Sequence, residues 1–281
     1  VVEQNLRNAL THAPELFAEH LMGLNGKVHQ LKGDEYWRMQ EFVQHSYSPE
    51  ELSLSELKEI AQGFGKFTSH MNSAELSAYQ EAIPDFHSLR FRSSQFQSAL
   101  KKDRAGRATL VKAEIEKVNS FQWIEHRFEG LKSQGLPERI CHNDAKAGNC
   151  LLSKKNGSFL KIVDLDTVGP GYVMFDIGDM LRSMLFNVPE NHQDLDSLHF
   201  EQDRYEAILN YFLRECDEVL SSIEKENLSF GGLYMTYIMA IRFLTDYLNG
   251  DLYYKTRFKG ENLVRTRNQL KILELMCEFL S

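Results

Sequence analysis

No apolar run in these 281 residues approaches the roughly 20 that a membrane-crossing helix needs, and the first residues do not read as a secretory leader. A helical membrane protein is therefore not expected. Cysteine is scarce: Cys141, Cys150, Cys216 and Cys277 are scattered with no Cys-x-x-Cys spacing. That excludes a disulfide framework and a zinc ribbon, and leaves reduced thiols in a cytoplasmic protein as the expectation. Basic charge is in deficit, 32 Lys and Arg against 40 Asp and Glu, for a net charge of −8. Such a balance argues against nucleic acid or an anionic membrane as partner. Repeats and low-complexity tracts are missing too. What remains is an ordinary globular composition, 42% apolar and 26% charged, long enough to bury a large core and divide into two lobes.

Within it, His142-Asn143-Asp144-Ala145-Lys146-Ala147-Gly148-Asn149 reads His-x-Asp-x-Lys-x-x-Asn, and Val163-Asp164-Leu165-Asp166 closes an apolar run further on. In phosphoryl transfer a loop aspartate takes the substrate hydroxyl proton, while an asparagine five residues on and a second aspartate hold magnesium against the nucleotide phosphates. Asp144 has the position of that base. Lys146 could reach the γ-phosphate as a point charge. Asn149 and Asp164 are the hard oxygen donors that Mg2+ prefers. His142 is expected to brace the loop by hydrogen bonding. A polar loop between strands could carry one such residue by chance, but five matched positions in register favour ATP- and Mg2+-dependent phosphotransfer. Residues 149–152 and 159–163 flank an Asn156-Gly157 turn, a strong hairpin signal. That hairpin would bring Asn149 and Asp164 to one end.

Residues 142–182 resemble the catalytic core of the aminoglycoside phosphotransferase and choline kinase superfamily, which shares the protein-kinase-like fold. Residues 162–171, 175–182 and 242–251 are similar to the N-acetylhexosamine 1-kinase branch in particular. The resemblance implies an α+β, two-lobed fold. Residues 1–43 would form a partial, β-rich small lobe holding the third to fifth strands plus one helix, and residues 44–281 a mainly helical large lobe. It implies a small-molecule kinase, a monomer or homodimer, using ATP and Mg2+ to phosphorylate a hydroxyl of a small acceptor. A sugar is the leading acceptor, an N-acetylhexosamine at its anomeric hydroxyl. Aminoglycosides, choline and amino alcohols are the alternatives, and a non-catalytic nucleotide-binding pseudokinase is the alternative of another class. Two departures stand out. Asp164-Leu165-Asp166 replaces Asp-Phe-Gly, so Asp166 adds a carboxylate that could help the metal or orient the sugar. The glycine-rich phosphate loop is not found, residues 1–6 read as the third strand, and the chain is expected to be a piece of a longer protein.

Other segments are placed by order along the chain. Residues 14–24 read as the small-lobe helix, with Glu15 or Glu19 either paired to a third-strand cation or exposed. Residues 27–31 and 36–43 read as a hairpin ending in Glu41-Phe42-Val43, the hinge whose backbone would meet adenine. Ser53-x-x-Glu56 is a capping box opening a helix to about Met71, with Gly63 and Gly65 marking close helix packing. Residues 111–131 read as one long helix, 101–107 as a solvated connector and 189–197 as an exposed insertion. The resemblance implies that Asp176 braces the loop 142–149, as the first aspartate of this motif does in the superfamily; a first-turn carboxylate that favours the helix dipole is the alternative. Arg242 and Asp246, one helical turn apart, could form an ordinary surface pair; the favoured reading has Arg242, Asp246 and Tyr253 face the sugar together with Asp144, Asp164 and Leu165.

Overall fold

A computed structural model describes the chain apart from residues 24, 25, 50, 187 and 281. Its first element corrects one expectation: residues 1–6 do not form a strand but open helix α1 (Val2–His12). The reason is spacing. Leu6, Ala9 and Ala13 recur at helical intervals, and all three are completely buried. The helix expected over residues 14–24 shrinks to a 3-10 turn at Pro14–Leu16. Phe17 and His20 beyond it are extended and bridge Ile162 and Gln40, which puts the Phe17 ring in the core. Leu24 lies outside the described residues. Both glutamates are exposed, the second of the two alternatives: the Glu15 carboxylate pairs with His70 at 2.9 Å while its carbonyl accepts Lys161 Nζ at 2.9 Å, and the Glu19 carbonyl accepts the Glu41 N–H at 2.7 Å.

The first hairpin forms in a narrower span than expected, pairing β1 (Gln30–Lys32) with β2 (Glu35–Trp37). Gly33 turns it at φ +65°, in the left-handed region that glycine tolerates without a Cβ clash. Strand β3 (Ser46–Tyr47) then leads into α2 (Leu54–Met71), which carries the complete Ser53/Glu56 capping box. A Cβ on Gly65 would lie 2.4 Å from the Phe212 carbonyl, and one on Gly63 2.5 Å from the Phe159 ring, so both glycines serve close approach. After α3 (Leu89–Lys102), residues 111–131 form two helices, α4 (Lys112–Ser120) and α5 (Trp123–Ser133). Buried Val118 and Ile124 are six residues apart, out of phase on a continuous helix. The break at Phe121 and Gln122 lets both face inward.

Strands β4 (Arg139–Cys141), β5 (Cys150–Ser153), β6 (Phe159–Ile162) and β7 (Gly169–Gly171) frame the motif-bearing loops, pairing as β3-β5-β6 and β4-β7. Around them pack α6 (Val173–Met184), α7 (Gln202–Cys216), α8 (Ser222–Glu226), α9 (Leu228–Asn249) and α10 (Glu261–Leu280). Helix α9 is apolar on most of its circumference and runs through the core, where Tyr234, Tyr237 and Phe243 are fully buried. It crosses α6 with almost nothing between the backbones: a Cβ on Gly178 would sit 2.2 Å from the Gly231 carbonyl, and one on Gly231 2.2 Å from that of Met174. The expected insertion at 189–197 is tied down, Glu190 to Arg182 and Asn191 to Glu261. Among the described residues no helix is long and apolar enough to cross a membrane.

Candidate active site

The loop 142–149 starts where β4 ends, and its shape is imposed by its neighbours. Asn143 turns the chain at φ +63°. The Asp176 carboxylate, in the first turn of α6, accepts the N–H of His142 at 2.8 Å and of Asn143 at 2.7 Å. Burial pushes the Asp176 pKa up to about 7, against the pull of those two N–H groups. Gly171 in β7 must be glycine here, because a Cβ would lie 2.6 Å from the Asn143 Oδ1. His142 is fully buried, edge-on to Phe64 and Phe67, with Nε2 3.2 Å from the Val163 carbonyl. Burial lowers its pKa, so the ring is neutral and Nε2–H donates. It therefore ties this loop to the residue before Asp164.

Two groups converge on Asp144. The Lys146 ammonium is 2.7 Å from Oδ2, and the Asn149 Nδ2 donates to Oδ2 and to the Asp144 carbonyl, both at 2.8 Å. Burial raises the Asp144 pKa, but Lys146 and Asn149 overcome it and hold the carboxyl below its ordinary range. The group is thus an anion at neutral pH. The hairpin signal at Asn156-Gly157 is realised: β5 and β6 pair antiparallel, and the Val163 N–H donates to the Asn149 carbonyl at 2.9 Å. Asp164 follows in the left-handed region at φ +60°, exposed, with no hydrogen bond or ion pair among the described residues. Asn149 with its Nδ2 committed to Asp144 offers Oδ1, and Asp164 offers a carboxylate. These two hard oxygen donors fit Mg2+, which needs only one or two carboxylates and completes its octahedron with water and phosphate oxygens. No group of three His, Cys, Asp or Glu side chains placed to hold a metal ion occurs among the described residues.

Three expected site residues are placed differently. Asp166 is ion-paired with Arg38, from beyond the β1–β2 hairpin, so one carboxylate oxygen is already engaged. Leu165 is buried in the hydrophobic core, because the 3-10 turn Leu165–Thr167 rotates it inward, and it is not in the wall of the acceptor-sized cleft. Asp246 does not pair with Arg242 and is not a free substrate ligand. Its carboxylate accepts the N–H groups of Leu252, Tyr253 and Tyr254 and the Asn262 Nδ2, all within 3.0 Å, which fills its oxygens and fixes the loop after α9.

Beside Asp144 and Lys146 opens a cleft of about 920 Å³ whose far wall includes Phe86, His87, Arg242 and Tyr253. The Arg242 guanidinium lies over Phe86 at 5.1 Å and Tyr254 at 5.6 Å and has no carboxylate partner among the described residues. Tyr253 is 71% exposed at the rim. At the expected hinge, Phe42 is 83% exposed and the Val43 carbonyl accepts the Ser46 hydroxyl at 2.7 Å.

Sequence reasoning missed His87 and Arg38, and gave Arg182 no role beyond its place in the motif 175–182. Arg182 is buried and donates from Nε and Nη2 to the one oxygen Oδ1 of Asp179, at 2.9 and 2.7 Å. His87 Nε2 is 2.8 Å from the Asn143 carbonyl. His87 and Arg38 have no local signal, since each acts on a residue distant in sequence, whereas Asp179 and Arg182 stand three apart on one helix. Burial pulls the His87 pKa from 6.5 to about 4. The unfolded chain then takes up this proton first, so the contribution is absent above pH 6.5 and stability declines as pH falls from there towards 4. At about 1.36 kcal/mol per unit, roughly 3 kcal/mol is lost across that window. Thermal melts of the wild type and His87→Phe between pH 7 and 4 check this. The variant is expected to show a shallower acid decline, and parallel declines would exclude His87 as the source.

A sequence model described as APH, phosphotransferase enzyme family, matches residues 2–208. Solved structures similar to this chain include an aminoglycoside phosphotransferase from Alicyclobacillus acidocaldarius, with TM-score 0.69 and 14% identity over 99% of this chain and 81% of that one. The AMP-bound spectinomycin phosphotransferase gives TM-score 0.63 and 16% identity over 98% and 83%. A choline/ethanolamine kinase family protein from Mesorhizobium loti gives 0.55 and 14% over 97% and 78%. At these identities the shared property is the fold, a kinase-like α+β arrangement with a small sheet region and a mostly helical part.

Proposed function

Because the chain belongs to the phosphotransferase enzyme family and is a small-molecule kinase, we propose that it moves the γ-phosphoryl of ATP to a hydroxyl of a sugar, an N-acetylhexosamine in the first instance. The observation that carries this reading is the convergence of Lys146 and Asn149 on the Asp144 carboxylate, one residue-pair of hairpin away from Asp164. Asp144, ionised and facing the cleft, would accept the acceptor hydroxyl proton as the oxygen attacks phosphorus. Lys146 would neutralise charge on the transferring group. Asn149 Oδ1 and Asp164 would hold Mg2+, which when bound screens the phosphate charge. Asp166 would orient Arg38 rather than the metal. Residues 1–43 would act as a small lobe and 44–281 as a large one. The Glu41 carbonyl and Val43 N–H, free of other hydrogen bonds among the described residues, would meet the base. The AMP-bound relative supports an adenine nucleotide.

Acceptor choice rests on Arg242. Arg242, with no carboxylate partner among the described residues, disfavours a cation placed against it, and aromatic faces with a planar donor suit a neutral sugar; Asp144, Asp179 and Glu190 in the same lining are already paired with Lys146 and Arg182, which leaves Glu51 as the competing carboxylate. A panel of N-acetylglucosamine, N-acetylgalactosamine, choline and kanamycin, read by acceptor-dependent ADP release, tests this. An N-acetylhexosamine is expected to give a kcat/KM at least about 10-fold above the cations, the scale of one unfavourable charge contact. Preference for choline or kanamycin would overturn the sugar assignment.

A further inference from the structure

His87 belongs to none of the sequence motifs, yet it stands in the wall of the cleft that holds Asp144. It also lines a second cavity of about 330 Å³ behind the loop, which reaches Asn143 and Thr167. Its ring is held between Phe86, with centroids 4.5 Å apart, and Phe175, at 5.1 Å. One nitrogen, Nε2, lies 2.8 Å from the Asn143 carbonyl. A carbonyl only accepts, so Nε2 carries the hydrogen and the neutral ring is fixed in one tautomer. The other nitrogen, Nδ1, is buried with no partner.

Asn143 is the left-handed residue directly before Asp144. Its N–H is held by Asp176, and its side chain donates to the Thr167 carbonyl at 3.1 Å and that of Gly169 at 3.3 Å. All of those anchors come from the β7 and α6 side. Its carbonyl is gripped by His87 alone among these contacts, from the segment preceding α3 and from the acceptor side of the loop.

We propose that His87 is a positioning residue for phosphoryl transfer: its Nε2–H fixes the peptide between Asn143 and Asp144 and so aims the Asp144 carboxylate into the cleft. A base misplaced by about 1 Å can lose on the order of 100-fold in rate, which makes a single backbone anchor consequential. The inference rests on the phosphotransferase reading of this site.

His87→Phe keeps ring volume between Phe86 and Phe175 but removes Nε2–H, while His87→Gln places a carboxamide donor near the same point. With N-acetylglucosamine as acceptor probe, and ATP hydrolysis by water as an acceptor-independent readout, His87→Phe is expected to lower kcat by about 10- to 100-fold. KM for ATP should stay within about 2-fold, and His87→Gln should recover most of the loss, because the interaction acts on the base and not on nucleotide binding. Wild-type turnover by His87→Phe, or equal impairment of both variants, would overturn the proposal. Asp144→Asn measured alongside separates the two layers. An unimpaired Asp144→Asn rejects the site itself, whereas an inactive Asp144→Asn with an active His87→Phe rejects only the role of His87. Independently of turnover, 15N spectra of histidine-labelled protein at pH 7 should show the His87 ring as the Nε2–H tautomer, and an Nδ1–H ring would sink the proposal.

Discussion

Asp144→Asn is expected to lower turnover by about 10²- to 10⁴-fold, the usual contribution of a positioned general base. The carboxamide retains the shape of the carboxylate and can still accept from Asn149, so the loop has no reason to collapse. What disappears is the ability to take a proton, together with the charge that fixes Lys146 at 2.7 Å. Calorimetric binding of Mg-ATP and the melting temperature should therefore stay close to wild type. Full turnover by this variant would remove Asp144 as the base. Loss of turnover matched by loss of folding would leave the carboxylate a structural part.

Asp246→Ala should behave in the opposite way, with a destabilisation of about 3–5 kcal/mol, as found when one partner of a buried polar network is removed. The carboxylate is 5% exposed and satisfies three consecutive backbone N–H groups as well as the Asn262 amide. Alanine leaves the three backbone N–H groups without an acceptor, while the Asn262 amide keeps only Asp251 at 2.9 Å. At roughly 2–4 °C per kcal/mol for a chain of this size, a fall near 10 °C in melting temperature is expected. Denaturant melts give the free energy directly. If Asp246 were instead a substrate ligand, the variant would raise the acceptor KM and melt like wild type.

How much of this could be read from the chain depends on how local each cause is. Asp144, Lys146, Asn149 and the Asn156-Gly157 hairpin lie within residues 144–162, and turn chemistry alone brings Asn149 next to Val163. The α+β kinase-like fold came from the family resemblance that this cluster helps to carry. Residues 1–6 were misread as a strand because Val1 and Val2 favour extended structure, while the helical spacing of Leu6, Ala9 and Ala13 only shows in a longer window. The anchoring contacts of Asp246 were not legible because three of its four hydrogen-bonding partners are backbone N–H groups, which carry no sequence signature. Arg38 and His87 were missed for a related reason: the first meets Asp166 and the second meets Asn143, contacts that only the folded chain creates.

The bare crossing of α6 over α9 has a consequence for how this enzyme could change what it accepts. Helix α6 carries Asp176, the clamp on the Asp144 loop, and α9 carries Arg242 in the opposite wall. With Gly178 and Gly231 meeting backbone to backbone, no side chain lies between them that could be enlarged or trimmed to slide one helix along the other. The distance between proton acceptor and far wall is effectively set by two peptide surfaces. New acceptors would then be accommodated by redrawing the rim around Tyr253, leaving the span beneath it untouched.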